Sequence, residues 1–127
     1  MGSRTLADYD KGNIFARILR GEIPNDTVFE NAHALAFRDI QPQAPTHVLV
    51  IPKGPYRTWH DFARDGTAAE HSAFVQAVAA VTTADSVEAD GYRLIVNNGD
   101  NGHQDVPHLH MHVLGGRPVG PMLKRQG

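Results

Sequence analysis

Behind Asn13, which reads as a helix N-cap, Ile14, Phe15, Ile18 and Leu19 recur at helical spacing. Gly21 and Pro24 stop the run, so this helix is short, about two turns. Thr27-Val28-Phe29 predicts a strand and Glu30-Asn31-Ala32 a turn. The alternating segment that follows puts His33, Leu35 and Phe37 on one face, and two strands across a short turn make a hairpin. Pro42 and Pro45 force a loop over 39–45. His47-Val48-Leu49-Val50-Ile51 is β-branched and apolar, a buried strand that Pro52 ends.

From Pro55 to Gly66 the pattern is irregular, with room for one short helical turn near Trp59. Thr67-Ala68-Ala69-Glu70 spells a capping box. Phe74, Val78 and Val81 follow at i, i+4 and i+7, predicting the main helix over 68–84. Tyr92 to Val96 reads as a strand, 97–102 as a polar Gly-rich loop, and His108 to Leu114 as the last strand, closed by Gly115-Gly116. Strands joined by short connections predict an α+β fold: a small antiparallel sheet of about five strands carrying one long helix and a short N-terminal one. One long helix leaves sheet surface uncovered, which suggests a partner, most simply a second copy.

The 127 residues amount to one ordinary domain, with 1–10 and 123–127 reading as loose tails. At 41% hydrophobic and 20% charged the chain is no disordered segment. It has no Cys, which excludes disulfides, zinc–thiolate sites and cysteine nucleophiles. A net charge of −2 gives no electrostatic case for nucleic acid or membrane. No apolar run approaches the ~20 residues of a membrane span, and no secretory h-region follows Met1. A cytoplasmic location is the default reading, and Met1-Gly2-Ser3 fits a native start or an added remnant equally well.

Eight His against three Lys is the odd count, and four of those His fall within positions 103–112. In a strand, the side chains of His108, His110 and His112 point one way, about 7 Å apart, while Leu109, Met111 and Val113 point into the core. Three readings are open. The row is a solvated face, or a metal site with Asp105 and His103 as helpers, or a nucleophilic centre. In the last, a neutral imidazole attacks phosphorus while its neighbours donate to phosphoryl oxygens. The Gly-rich loop offers backbone N–H groups, and Asn97 and Gln104 offer amide donors, to the same anion. That coupling of loop and row favours catalysis over metal.

His108-Leu109-His110-Met111-His112-Val113-Leu114 resembles the signature of the histidine triad superfamily. Phe37 to His47, running on into Val48-Leu49-Val50-Ile51-Pro52-Lys53, is similar to that family's first conserved block. Leu114-Gly115-Gly116-Arg117-Pro118 resembles its nucleotide-binding (Hint) branch in bacterial form. The resemblance covers about residues 11–123. It implies a homodimer with one continuous sheet, a purine nucleotide site, no cofactor, no metal, and hydrolysis of nucleoside phosphoramidates. It also implies His110 as nucleophile, His108 orienting it through a backbone carbonyl, His112 bonding phosphate or leaving group, and His47 supporting the triad. Asp39 would take both ribose hydroxyls. Phe15, Ile18, Ile23, Phe37, Ile40 and Leu49 would wall the base, and Asn97, Gln104 and Asp105 would lie at the phosphate.

Two positions depart from that pattern. His103 stands where Gly is common, and Asp105 where animal members carry Ser, which bears on the leaving group. His33, His60 and His71 match no motif and read as surface or helix-end residues, and Trp59 as a packing anchor. The alternatives are a nucleotide-binding or interaction protein with incidental hydrolysis, or a dinucleoside polyphosphate hydrolase. His112, where the transferase branch carries Gln, argues against nucleotidyl transfer.

Overall fold

The structure, a computed structural model, describes residues 9–124. Eight elements follow in chain order: α1 (Ile14–Leu19), β1 (Thr27–Glu30), β2 (Ala34–Arg38), β3 (Thr46–Pro52), α2 (Trp59–Asp65), α3 (Ala68–Ala84), β4 (Tyr92–Val96) and β5 (Met111–Gly115). The five strands form one sheet in the order β1-β2-β3-β5-β4, with every neighbouring pair antiparallel. The α+β architecture read from the sequence is therefore present. Among the described residues no helix is long and apolar enough to cross a membrane.

Helix starts follow local chemistry. The Asn13 side chain accepts from the Ala16 N–H at 2.9 Å and caps α1. At α3, Thr67 accepts from the Glu70 N–H at 3.1 Å and Glu70 accepts from the Thr67 N–H at 3.0 Å, the reciprocal capping box. The turn expected near Trp59 is the seven-residue α2, capped by Thr58.

Strand alternation divides the sheet into two faces. Ala34, Ala36, Val48, Val50 and Val113 pack with Leu109 against Phe74, Ala77, Val78 and Val81 of α3. Leu35, Phe37, Leu49 and Ile51 pack against Phe15 and Ile18 of α1. The C-cap of α3, Asp85, ties the helix to the sheet. It accepts two bonds of 2.9 Å from Arg38 and one of 2.9 Å from the Thr46 hydroxyl. Arg38 holds the Asp85 carboxyl below its ordinary range.

The third strand includes Thr46 and Pro52, and the start of the last strand differs most from expectation. The last strand begins at Met111 rather than His108. Its ladder with β3 runs from Gly115↔Thr46 to Met111↔Val50 and stops there. The preceding backbone is used elsewhere: the Leu109 N–H donates to the Tyr56 carbonyl and the His108 N–H to the Val106 carbonyl, each at 2.8 Å. Pro52, at the end of β3, has no N–H to extend the ladder. Of the tails expected at 1–10 and 123–127, residues 1–8 and 125–127 lie outside the described residues. Tyr9 and Asp10, at the end of the expected N-terminal tail, make side-chain hydrogen bonds.

Candidate active site

Four imidazoles meet on the α1 side of the sheet. His108 and His110 lie on the segment leading into β5, His112 within β5, and His47 on β3 beside it. Phe15 of α1 stacks edge-on against His110, with ring centroids 5.0 Å apart. His110 and His112 are 5.2 Å apart by the same measure. Leu109 and Val113 are buried on the opposite side, against α3, so the alternation read from the sequence holds across the whole segment.

Hydrogen-bond partners assign the protons. His108 Nε2 lies 2.8 Å from the Pro52 carbonyl, which can only accept, so Nε2 carries the proton. His108 Nδ1 then accepts, and its partner is the Tyr9 hydroxyl. His110 Nδ1 lies 2.8 Å from the His108 carbonyl and must donate, which leaves the His110 Nε2 lone pair without a proton. The Gln43 N–H donates to His47 Nδ1 at 3.0 Å, so His47 is protonated at Nε2. That N–H faces His112 Nδ1 at 2.9 Å, with Asp39 Oδ2 at 3.4 Å as a second acceptor. His112 therefore presents Nε2–H.

Burial favours the neutral form of His108, His112 and His47. His108 is fully enclosed, and loss of hydration pulls its pKa down to about 4, against the opposing bond to Pro52. His112 is also drawn down to about 4, first by burial and then by His110 and His47. Burial lowers His47 too, opposed by the Asp39 carboxylate. By its hydrogen bonds the site thus pairs a ring lone pair on His110 Nε2 with a ring N–H on His112. Those are the parts needed to attack an electrophilic phosphorus and to hold its oxygens.

The other residues named from the sequence divide. Phe15, Ile18, Phe37 and Leu49 form one apolar cluster with Ile23 against it. Asp39 lies at the edge of the histidine group, its Oδ1 accepting from the Gln41 N–H at 2.8 Å. That bond turns the chain outward, so Ile40 is 92% exposed and stands apart from the cluster it was expected to join. Asn97 lines, with His47, His112 and Gln43, a cavity of about 670 Å³. Asp105 Oδ1 lies 3.6 Å from His110 Nε2.

The sequence reading has Gln104 offer its amide to an anion, but the structure uses that amide within the loop. Its Nε2 donates to the Arg57 and Val106 carbonyls at 2.7 and 3.0 Å, and its Oε1 accepts from the Gly99 N–H at 2.9 Å. It braces the loop. His103 has a positive φ of 57°, in the left-handed region where a glycine is unstrained. His71 bonds the Phe62 carbonyl and closes α2 onto α3.

Asp39, His47 and His112 each bring one ligand atom, all within 4.8 Å of one another, and could hold a metal ion. The sequence pointed instead to Asp105 and His103 as metal helpers. Three contributors were not visible in the sequence: Tyr9, the Pro52 carbonyl and the Gln43 N–H. Two are backbone groups, and the third is far away along the chain.

A family model described as the HIT domain matches residues 20–119. A 13.2 kDa HIT-like protein of Azospirillum brasilense is 52% identical over 117 residues, which cover 92% of this chain and 96% of that protein. The purine nucleoside phosphoramidase of Escherichia coli K12 is 45% identical over 118 residues, covering 90% and 95%. The crystal structure of a HIT family hydrolase from Legionella pneumophila superposes with a TM-score of 0.78 at 41% identity, covering 84% of this chain and 95% of that one.

Proposed function

Because the chain belongs to the HIT domain family, we propose that it is a hydrolase cleaving the P–N bond of purine nucleoside 5′-phosphoramidates. The observation that carries this reading is the His110 ring. Its Nδ1–H is tied to the His108 carbonyl and its Nε2 lone pair is free. In the first step Nε2 attacks phosphorus, the P–N bond breaks, and the amine leaves with a proton drawn from solvent. Water then attacks the nucleotidyl–His110 intermediate, releasing the nucleoside monophosphate and the ring. The proton given up by that water balances the one the amine took. His112 Nε2–H and Asn97 hold the phosphoryl oxygens, and His47 fixes the His112 proton.

Asp39 has a carboxylate oxygen to accept from vicinal ribose hydroxyls. Phe15, Ile18, Ile23, Phe37 and Leu49 supply an apolar wall for a base, and exposed Ile40 beside Asp39 is available to cover it. The protein acts as a homodimer in the cytoplasm. Trp59, Val75, Tyr92 and Leu94 are each at least 42% exposed beside the unpaired edge of β4, and a second copy there would continue the sheet.

The test is turnover of adenosine 5′-phosphoramidate and a panel of AMP–amine conjugates by EDTA-treated protein. Release of AMP, and its loss by at least about a thousandfold in His110→Ala, is the expected result. Tight AMP binding with no turnover of any conjugate would turn the reading into a nucleotide-binding protein. Cleavage of dinucleoside polyphosphates in preference to the conjugates would move it to that substrate class.

A further inference from the structure

We propose that Tyr9 is a positioning residue for the reaction above, acting on the His110 nucleophile through His108; it rests on the hydrolase reading for its kinetic consequence. The Tyr9 hydroxyl accepts from the Asn13 side-chain N–H at 2.9 Å. Its own proton is therefore directed to the other partner within reach, His108 Nδ1. Asn13 cannot swing away, because its Oδ1 caps α1 and its Nδ2 also donates to the Asp10 carbonyl at 2.7 Å. The Tyr9 and His108 rings meet edge to face, with centroids 5.6 Å apart.

His108 is thus latched at both nitrogens, by Pro52 on one side and Tyr9 on the other. The peptide that follows His108 is latched as well. Its N–H, belonging to Leu109, donates to the Tyr56 carbonyl at 2.8 Å, and its C=O accepts from His110 Nδ1 at 2.8 Å. Removing the Tyr9 hydroxyl leaves an enclosed ring nitrogen without a donor. His108 can then regain satisfaction only by turning its ring or changing its proton, and either movement disturbs the carbonyl that holds His110. Tyr9 secures from outside the sheet what a backbone bond secures within it.

Tyr9→Phe keeps the ring and removes only the hydroxyl. The first measurement is the ¹⁵N spectrum of the histidine rings in the wild-type chain, which needs no variant to fold. His108 should show Nε2 protonated and Nδ1 bare, and His110 the opposite. A His108 protonated at Nδ1 overturns the proposal. In Tyr9→Phe, His110 should lose its single tautomer, and kcat for adenosine 5′-phosphoramidate should fall about tenfold with KM within about twofold. A variant with a lowered Tm but with wild-type His110 tautomer and kcat shows a merely structural Tyr9 and overturns the proposal. If the wild-type chain turns over no phosphoramidate, the hydrolase reading falls. The His110 tautomer in Tyr9→Phe then decides the positioning role alone.

Discussion

His47 Nε2 lies 2.9 Å from His112 Nδ1, and the Gln43 N–H on the far side of His47 decides which of the two rings donates. The proton order along this pair is imposed by a main-chain group that cannot change its protonation. It ends at the Nε2–H of His112, a residue that lines the cavity.

Replacing His47 by Ala removes that donor. His112 is then free to carry its proton on either nitrogen. Turnover of a phosphoramidate should fall about tenfold, the worth of one hydrogen bond of about 1.4 kcal/mol. The His112 pKa should move up from about 4 toward the ordinary value, since less burial and one fewer imidazole oppose its charge. Steady-state kinetics and histidine NMR titration read both.

The neutral histidines make folding depend on pH. His108 and His112 are held near 4 in the folded chain, below the 6.5 of an ordinary His. Between about 6.5 and 4 the unfolded chain therefore binds more protons than the folded one. The contribution of these two rings is level above pH 6.5 and falls as pH drops toward 4. The slope approaches one proton from His108, with a fraction from the partly exposed His112. Urea midpoints at pH 7.5, 6 and 5 should decrease in that order. A midpoint constant over that range would contradict the burial of His108.

Asp85 closes α3 onto β2 and β3 with three charge-assisted bonds. Asp85→Ala leaves Arg38 and Thr46 without that partner and should cost about 2–3 kcal/mol. The carboxyl is held low by Arg38, so its contribution is present above the ordinary carboxylate pKa and is lost as pH falls through the lowered one. Chemical denaturation at neutral pH checks the loss. The proposed nucleotide site, on other residues, should keep its KM.

Leu94 is 42% exposed on β4, next to Tyr92 and across from Val75 and Val78 in a shallow cavity of about 260 Å³. Leu94→Glu places a charge where a second copy would have to bury it. Sedimentation should show a dimer for the native chain and a monomer for the variant. A native chain that sediments as a monomer at micromolar concentration would remove the dimer from the proposal.

Local chemistry was legible where it completes itself within a few residues. The Thr67–Glu70 capping box and the spacing of Phe74, Val78 and Val81 place α3 at Ala68–Ala84, as read from the sequence. The alternation from His108 to Val113 gives the common face of the three imidazoles. What stayed hidden depends on partners brought in by the fold. The start of β5 is set by the Tyr56 carbonyl and by Pro52, neither of which periodicity records. Gln104 looks like a phosphate donor until the Arg57 carbonyl, 47 positions away, accepts its amide N–H. Tyr9 reaches His108 across 99 positions, and no short-range pattern signals it.

The segment from 108 to 113 sends alternate side chains to opposite sides of one sheet, α3 on one side and the imidazoles on the other. Heritable change along it is therefore sorted by the parity of the residue number. Odd positions answer to folding yield, His110 and His112 to reactivity, and the buried His108 to both. A library randomised across this stretch and scored for both traits should separate into two groups with little overlap. Six consecutive codons would then be two interleaved alphabets, each open to selection without rewriting the other.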